Sequence, residues 1–306
     1  MTPITPSNRN GVPFRFPPMN KLDFNDRSIS RRDMLKMCAG TLLSVGCWPG
    51  QLRAADSGKG ESGWCFIAVN DLHFESSPCG PWFEKVIAAM KASAPQAEFC
   101  LLGGDQANDG KAEQLGPLKE IVKGLGIPIY ATPGNHDIAD DGSRKAYDDI
   151  FAGHLNQSFE HRGWQVIGVD STDGTKYRET SIHESTFAWL DERLPKLDRD
   201  KPTILWTHFP LGTGVTYRPT NADRLLERFR EFNLQAAFSG HWHGFSEKPW
   251  EDAVLTTDRC CARVRDNHDG SKKKGWFVCR AVDGRITREF VQIPEELRTE
   301  TPKVPK

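Results

Sequence analysis

Five short stretches of this chain run from apolar residues through a small residue to a side chain that binds metals or moves protons. FIAVNDLH delivers Asp71 and His73, and FCLLGGD delivers Asp105. IYATPGNHD carries Asn135, His136 and Asp137, TILWTH ends on His208, and AAFSGHWH supplies His241 and His243. Taken singly, each has an ordinary reading. Asp71 with His73 suits a turn and a surface histidine, and Asn135 after Gly134 suits a turn because Asn tolerates left-handed backbone. Together in one chain they point to a site. Carboxylates, one amide and several imidazoles, with no cysteine among them, make a mixed nitrogen and oxygen donor set. Such a set fits Zn, Mn, Fe or Co better than it fits a thiolate centre. These groups exceed what one tetrahedral ion takes, so two ions are expected. Two ions need a shared ligand, and an aspartate at the head of a central strand can give one oxygen to each.

The elements that must position these groups follow from the pattern between them. An apolar run of strand length closed by Gly103 and Gly104 reads as a buried strand, and sites in open α/β sheets gather at such carboxyl ends. Strands are expected over 65–70, 99–102 and 128–132, separated by helices over 82–92 and 112–124. The first helix places Phe83, Val86, Ile87 and Met90 on one face. This alternation implies parallel strands with crossover helices. Strands over 165–170, 203–207 and 236–239 follow, with a helix over 185–194 and another that puts Leu225, Leu226 and Phe229 on one face. His241 and His243 alternate along a strand-like stretch, which would put both on one face. After His243 only strands are expected, over 253–257, 276–282 and 286–293, the last two joined by a turn at Asp283 and Gly284. The fold class is α/β, a two-sheet β-sandwich flanked by helices in a single domain over 61–295, with a C-terminal tail over 296–306.

The chain is long enough, at 306 residues, to bury a full core. Forty Lys and Arg against 41 Asp and Glu leave a net charge of −1, which gives no overall argument for nucleic acid or an anionic membrane as partner. Eight cysteines include no CxxC pair, against a zinc ribbon or a thioredoxin-type motif. The N-terminal 60 residues stand apart. Residues 1–25 are rich in Pro and Asn without an apolar period, as in a disordered segment. Ser30, Arg31, Arg32, Asp33 and Met34 then precede a short apolar stretch over 37–48, a pattern that resembles the bacterial twin-arginine export signal, with Met34 where Phe is preferred. The stretch is shorter than the roughly 20 apolar residues of a transmembrane helix. Ala54 and Ala55 are small enough for cleavage. A soluble amphipathic helix is the alternative, and lipid attachment at Cys47 a lesser one, since Ser44 stands where Leu is wanted. Export would place the protein in the periplasm or otherwise outside the cytoplasm, with the export machinery as a partner. Disulfides could then form among Cys65, Cys79, Cys100, Cys260, Cys261 and Cys279.

The ordered set DLH, GD, GNHD, TH and GHWH resembles the calcineurin-like metallophosphoesterases, over about residues 64–290. The full series is specific, although each piece alone is weak. The resemblance implies that Asp71, His73, Asp105 and His243 hold one divalent or trivalent first-row metal ion. Asp105, Asn135, His208 and His241 would hold a second, with Asp105 as the bridge. His136 would donate a proton to the leaving alkoxide or steady the phosphoryl oxygens. Two ions roughly 3.5 to 4 Å apart lower the pKa of a shared water and neutralise phosphoryl charge, so the implied activity is hydrolysis of a small phosphoester.

The chain departs from that pattern in two places. Asn108 stands where many relatives carry an Asp that orients the histidine or a Tyr that binds ferric iron, so a purple acid phosphatase is not expected. Asp109 or Asp137 is the candidate to orient His136 instead. Thr207 also replaces an extra histidine before His208. His154, His161, His183 and His268 match no motif and are expected to be structural or exposed, and Lys272, Lys273 and Lys274 to form a solvated loop. Arg178 and Arg218, beside Tyr177 and Tyr217, and Trp242 are candidates to contact a phosphate or stack on a base. The short core and the GHWH ending look most like phosphodiesterase-type members. A phosphatase, or an exported metal-binding protein without turnover, is the alternative.

Overall fold

Strand β1 (Trp64–Val69) is buried at every position because both of its faces and both of its edges are covered. The structure, a computed structural model, describes residues 63–299; the expectations for the disordered segment, the export signal and Cys47 fall outside them. Along one edge β1 pairs in parallel with β2 (Ala97–Gly103), which pairs in parallel with β3 (Ile129–Thr132). Strands covered on both faces read as unbroken apolar runs, as WCFIAV does.

A second sheet runs in the order β4 (Gln157–His161), β5 (Trp164–Gly168), β6 (Thr203–Trp206), β7 (Leu234–Ser239), β9 (Ala253–Thr257) and β8 (Ser246–Trp250). Strands β5, β6, β7 and β9 are parallel. The first sheet is completed by β10 (Gly275–Val282), antiparallel to β1, and the edge strand β11 (Arg285–Gln292).

Alternation along β1 divides the core. Trp64, Phe66 and Ala68 face the second sheet and pack with Trp164, Val166, Ile204, Trp206 and Phe238. Phe66 stacks on Phe99 at 5.1 Å and meets Phe238 edge-on at 5.8 Å, contacts worth roughly 0.5–1.5 kcal/mol each beyond area burial. Cys65, Ile67 and Val69 face the opposite way, toward helices α1 (Gly80–Ser93) and α2 (Ala112–Val122). Helix α3 (Lys145–Ile150) adds Tyr147 to that layer, while α4 (Glu184–Arg193) and α5 (Ala222–Glu227) cover the outer face of the second sheet. The result is helix, sheet, sheet, helix, the sandwich that the sequence pattern implies.

The differences from expectation lie at the periphery. The helix expected over 112–124 ends at Val122, tightens into a 3₁₀ turn (Lys123–Leu125) and is capped by Gly126 at φ 73°, so the second available glycine terminates it. Strand β8 was not expected, because at the sheet edge SEKPW shows only half-buried and exposed residues in alternation and no apolar run. After β11 the described chain forms one more short helix. Helix α6 (Glu295–Thr299) buries Leu297, whose carbonyl accepts a 2.8 Å hydrogen bond from Trp82 Nε1 on α1. The six described cysteines are all buried and unbridged, so the disulfides that export would permit are absent among them.

Candidate metal centre

Each candidate ligand follows the carboxyl end of a strand. Asp71 and His73 leave β1, Asp105 leaves β2, Asn135 sits in a 3₁₀ turn (Asn135–Asp137) after β3, His208 follows β6, and His241 and His243 follow β7. The reading of His241 and His243 as neighbours on one strand face is corrected here. Strand β7 stops at Ser239, and both histidines take left-handed backbone, at φ 64° and 49°. Asp71 (54°), His73 (48°) and Asp105 (52°) do the same. Non-glycine residues in this region cost on the order of 1–3 kcal/mol each and persist where the surroundings over-determine them. Backbone bonds between the loops do so here: Asp71 N donates to Gly104 O (3.0 Å), His73 N to Asp105 O (2.9 Å) and Gly240 N to His208 O (2.8 Å). Two glycines are required by close approach. A Cβ on Gly134 would fall on the Asp105 carboxylate, and one on Gly240 on that of Asp71.

These loops bring the donors into two sets that share one residue. Asp71, His73, Asp105 and His243 offer atoms that all lie within 4.8 Å of one another, as do Asp105, His208 and His241; every one of these residues is buried. Asp105 turns Oδ2 toward His73 Nε2 (3.4 Å) and Oδ1 toward His208 Nε2 (3.4 Å). Asn135 Oδ1 lies 3.3 Å from His208 Nε2 and so joins the second set. Three of the four imidazole rings are fixed from behind, while His73 Nδ1 has no hydrogen-bond partner among the described residues. His208 Nδ1 donates to Gly103 O (2.9 Å) and His243 Nδ1 to Asp266 O (3.2 Å), which leaves each Nε2 aimed inward. His241 is reversed: its Nε2 donates to Tyr177 O (2.8 Å), so Nδ1 faces the site. Asp71 Oδ2 accepts from Asn70 Nδ2 and from His241 N (2.9 Å), which leaves Oδ1 toward His243 (3.3 Å).

This donor set fits metal ions. His73 Nε2 and His243 Nε2 face each other at 3.0 Å, and His208 Nε2 and His241 Nδ1 at 3.1 Å. Each such pair needs a proton or a metal ion between its facing nitrogens, and the charge distribution shows the same demand. Burial disfavours charge on His243 and His208, yet Asp71 holds His243 well above the ordinary imidazole value and Asp105 holds His208 at about 9. Burial also acts to raise Asp71 and Asp105, and the same imidazolium neighbours pull both below the carboxylate range. Burial pushes His73 down, and burial with the charged His208 takes His241 down to about 3. Each donor set thus keeps one proton against a carboxylate, at the place a cation would occupy.

A cavity of about 410 Å³ opens over both sets, within the usual range for small-ligand sites of roughly 300–1,000 Å³. His136 is on its wall, half-buried, with its ring 4.9 Å from that of His73. The expected partners of His136 are corrected. Asp137 spends its carboxylate on Ala107 N and Gly134 N (both 2.8 Å), burial and the Asp105 charge raising it to about 7. Asp109 binds Gln114 Nε2 (2.8 Å) and Asn108 Nδ2 (3.0 Å). It is the Asn108 carbonyl that accepts from His136 Nδ1, at 2.8 Å.

Tyr177 and Tyr217 line the cavity, but the arginines beside them do not. Arg178 lies over the Tyr177 ring at 4.4 Å, and Arg218 pairs with Asp223 and donates Nε to Leu211 O (2.7 Å). Trp242 is half-buried against Gly244 and is not on the cavity wall. The loop between β9 and β10 contributes Arg265, Asp266 and His268, none of which sequence reasoning selected for the site. No apolar run precedes them, so the strand-end pattern carries no trace of them. His268 is exposed as expected, yet its ring is 5.4 Å from that of His243. His154, His161 and His183 serve elsewhere: His154 accepts from Ala131 N, His161 pairs with Glu98, and His183 caps α4. Lys272 and Lys273 are exposed and Lys274 is half-buried.

Residues 66–245 match the family described as Calcineurin-like phosphoesterase, and the chain belongs to that family. A probable glycerophosphodiester phosphodiesterase of Arcobacter nitrofigilis is 28% identical over 173 residues, 53% of this chain and 63% of that protein. A probable cyclic nucleotide phosphodiesterase of Synechococcus is 29% identical over 157 residues, 48% of this chain and 59% of that protein. The chain therefore spans under two thirds of the length of these relatives. Among solved structures, a purple acid phosphatase from yellow lupin seeds superposes with a TM-score of 0.58 at 11% identity, covering 79% of this chain and 53% of that one; that likeness concerns the fold alone.

Proposed function

We propose that this chain hydrolyses phosphoesters, phosphodiesters by preference, with Asp71, His73, Asp105 and His243 holding one first-row metal ion and Asp105, Asn135, His208 and His241 a second. The observation that carries the reading is the single buried carboxylate of Asp105, shared by both donor sets at the floor of the cavity. Bound there, two ions would lower the pKa of a shared water, orient it for in-line attack and neutralise phosphoryl charge. The protein's own groups do the rest. The carbonyls of Gly103, Asp266 and Tyr177 fix the rings of His208, His243 and His241, and the left-handed loops set the carboxylates. With Nδ1 donating to the Asn108 carbonyl, His136 would act in its doubly protonated form, giving the Nε2 proton to the leaving oxygen.

The names of the two phosphodiesterase relatives support the diester preference. The test is hydrolysis of a chromogenic phosphodiester against its matching monoester by protein freed of metal with a chelator and then reloaded with Mn²⁺. Diester turnover that appears only on reloading is the expected result. Faster monoester turnover would make the protein a phosphatase, and no metal-dependent turnover on either would favour a metal-binding protein. We further infer that the chain is exported, on the Arg31 and Arg32 pair and the short apolar stretch after it. A reporter fused to residues 1–60 should then appear outside the cytoplasm, and cytoplasmic retention would sink the idea. Among the described residues no helix is long and apolar enough to cross a membrane.

A further inference from the structure

The loop between β9 and β10 carries three arginines with different fates. Arg259 pairs with Asp269 (3.0 Å) and Arg263 with Glu75 (3.3 Å). Arg265 has no carboxylate within ion-pair distance among the described residues. It is held by a neutral group instead: its Nε (3.0 Å) and Nη2 (2.7 Å) both donate to Asn108 Oδ1. That fork fixes the guanidinium beside His136, whose Nδ1 is 3.3 Å from Nη2, and on the wall of the cavity over the donor sets. A half-buried guanidinium without a counter-ion, oriented by an amide and left with Nη1 uncommitted, is a site for an anion.

We propose that Arg265 binds a non-bridging phosphoryl oxygen of the substrate, and that Asn108 serves to aim it without neutralising it. The inference rests on the phosphoester reading. It gives a reason for the departure at position 108. An aspartate there would form an ion pair with Arg265 and cancel the charge the phosphoryl group needs, whereas the asparagine oxygen holds the same fork and leaves the charge intact.

Two readouts on the full Mn²⁺-loaded chain test this: steady-state kinetics on a chromogenic phosphodiester, and calorimetric binding of inorganic phosphate. Arg265→Gln is expected to lower kcat/KM by about 10- to 100-fold, mostly through KM, and to weaken phosphate about tenfold. Asn108→Asp is the sharper variant. It is nearly isosteric and should still weaken phosphate in the same direction, while Arg265→Lys recovers only part of the loss because an ammonium cannot make the fork. Thermal unfolding of each variant at the wild-type midpoint separates these effects from misfolding. If the protein turns over no phosphoester, phosphate binding still reads the inference on its own. Equal phosphate affinity in wild type and Arg265→Gln, no phosphate binding in either, or tighter binding in Asn108→Asp would overturn it.

Discussion

Asp105→Asn is expected to leave the fold standing and to cost at least about 10²- to 10⁴-fold in metal-dependent turnover. Loss of an outer hydrogen-bonding partner alone weakens a metal site by about 10- to 100-fold. Asp105 is a direct donor to both sets, so a penalty of at least that size applies twice. Asparagine is the right replacement, because it tolerates the left-handed φ of 52° at this position, where alanine would add backbone strain. It also keeps an oxygen to accept from His136 N, now 2.9 Å from Oδ1. That bond turns the new amide nitrogen toward His73, where Oδ2 now lies 3.4 Å from Nε2. The first donor set therefore loses its oxygen outright, while the second exchanges a charged oxygen for a neutral one. Metal content measured by mass spectrometry should fall below two ions per chain, with the Asp71, His73 and His243 set emptied first. Two retained ions with unchanged kcat would remove Asp105 from the bridge.

The place of Asp105 at a strand end also shows why the grouping of the candidate ligands is legible in the sequence. The residues that anchor it stand where buried strands end, and a buried parallel strand announces itself as an apolar run: FCLLGG before Asp105, TILWT before His208. The layered fold was legible for the same reason, since β1, β2, β3, β6 and β7 all carry such runs. What the sequence concealed depends on contacts between distant segments. Strands β4 and β8 lie at sheet edges and show only half-buried and exposed positions, so no apolar period betrays them. The backbone of His241 and His243 looked like a strand because alternate spacing is common to strands and to this loop, and only the bonds tying it to Asp71 and His208 select left-handed geometry. The sequence offers the neighbouring carboxylates as partners of His136, but Asp137 is drawn inward by two backbone amides and Asp109 by Gln114. Arg265 lies 157 positions from the asparagine that aims it, a distance no local pattern bridges.

His136→Ala is expected to retain both metal ions and lose about 10²- to 10⁴-fold in kcat on a substrate with a poor leaving group. The side chain belongs to neither donor set, and the backbone N that donates to Asp105 is unaffected by the change. The 3₁₀ turn that carries it accepts alanine, so Asn135 and Asp137 on either side keep their places. The leaving group decides what the side chain does. A proton donor matters most when an alkoxide departs and least when a nitrophenolate does, because the latter is stable without a proton at neutral pH. A residue that only steadies the phosphoryl oxygens affects both to the same degree. Assayed with an alkyl and a nitrophenyl diester, His136→Ala should lose far more on the alkyl ester. Equal losses on the two would assign His136 to phosphoryl binding beside Arg265, and no loss on either would leave proton delivery to the leaving oxygen to some group other than His136.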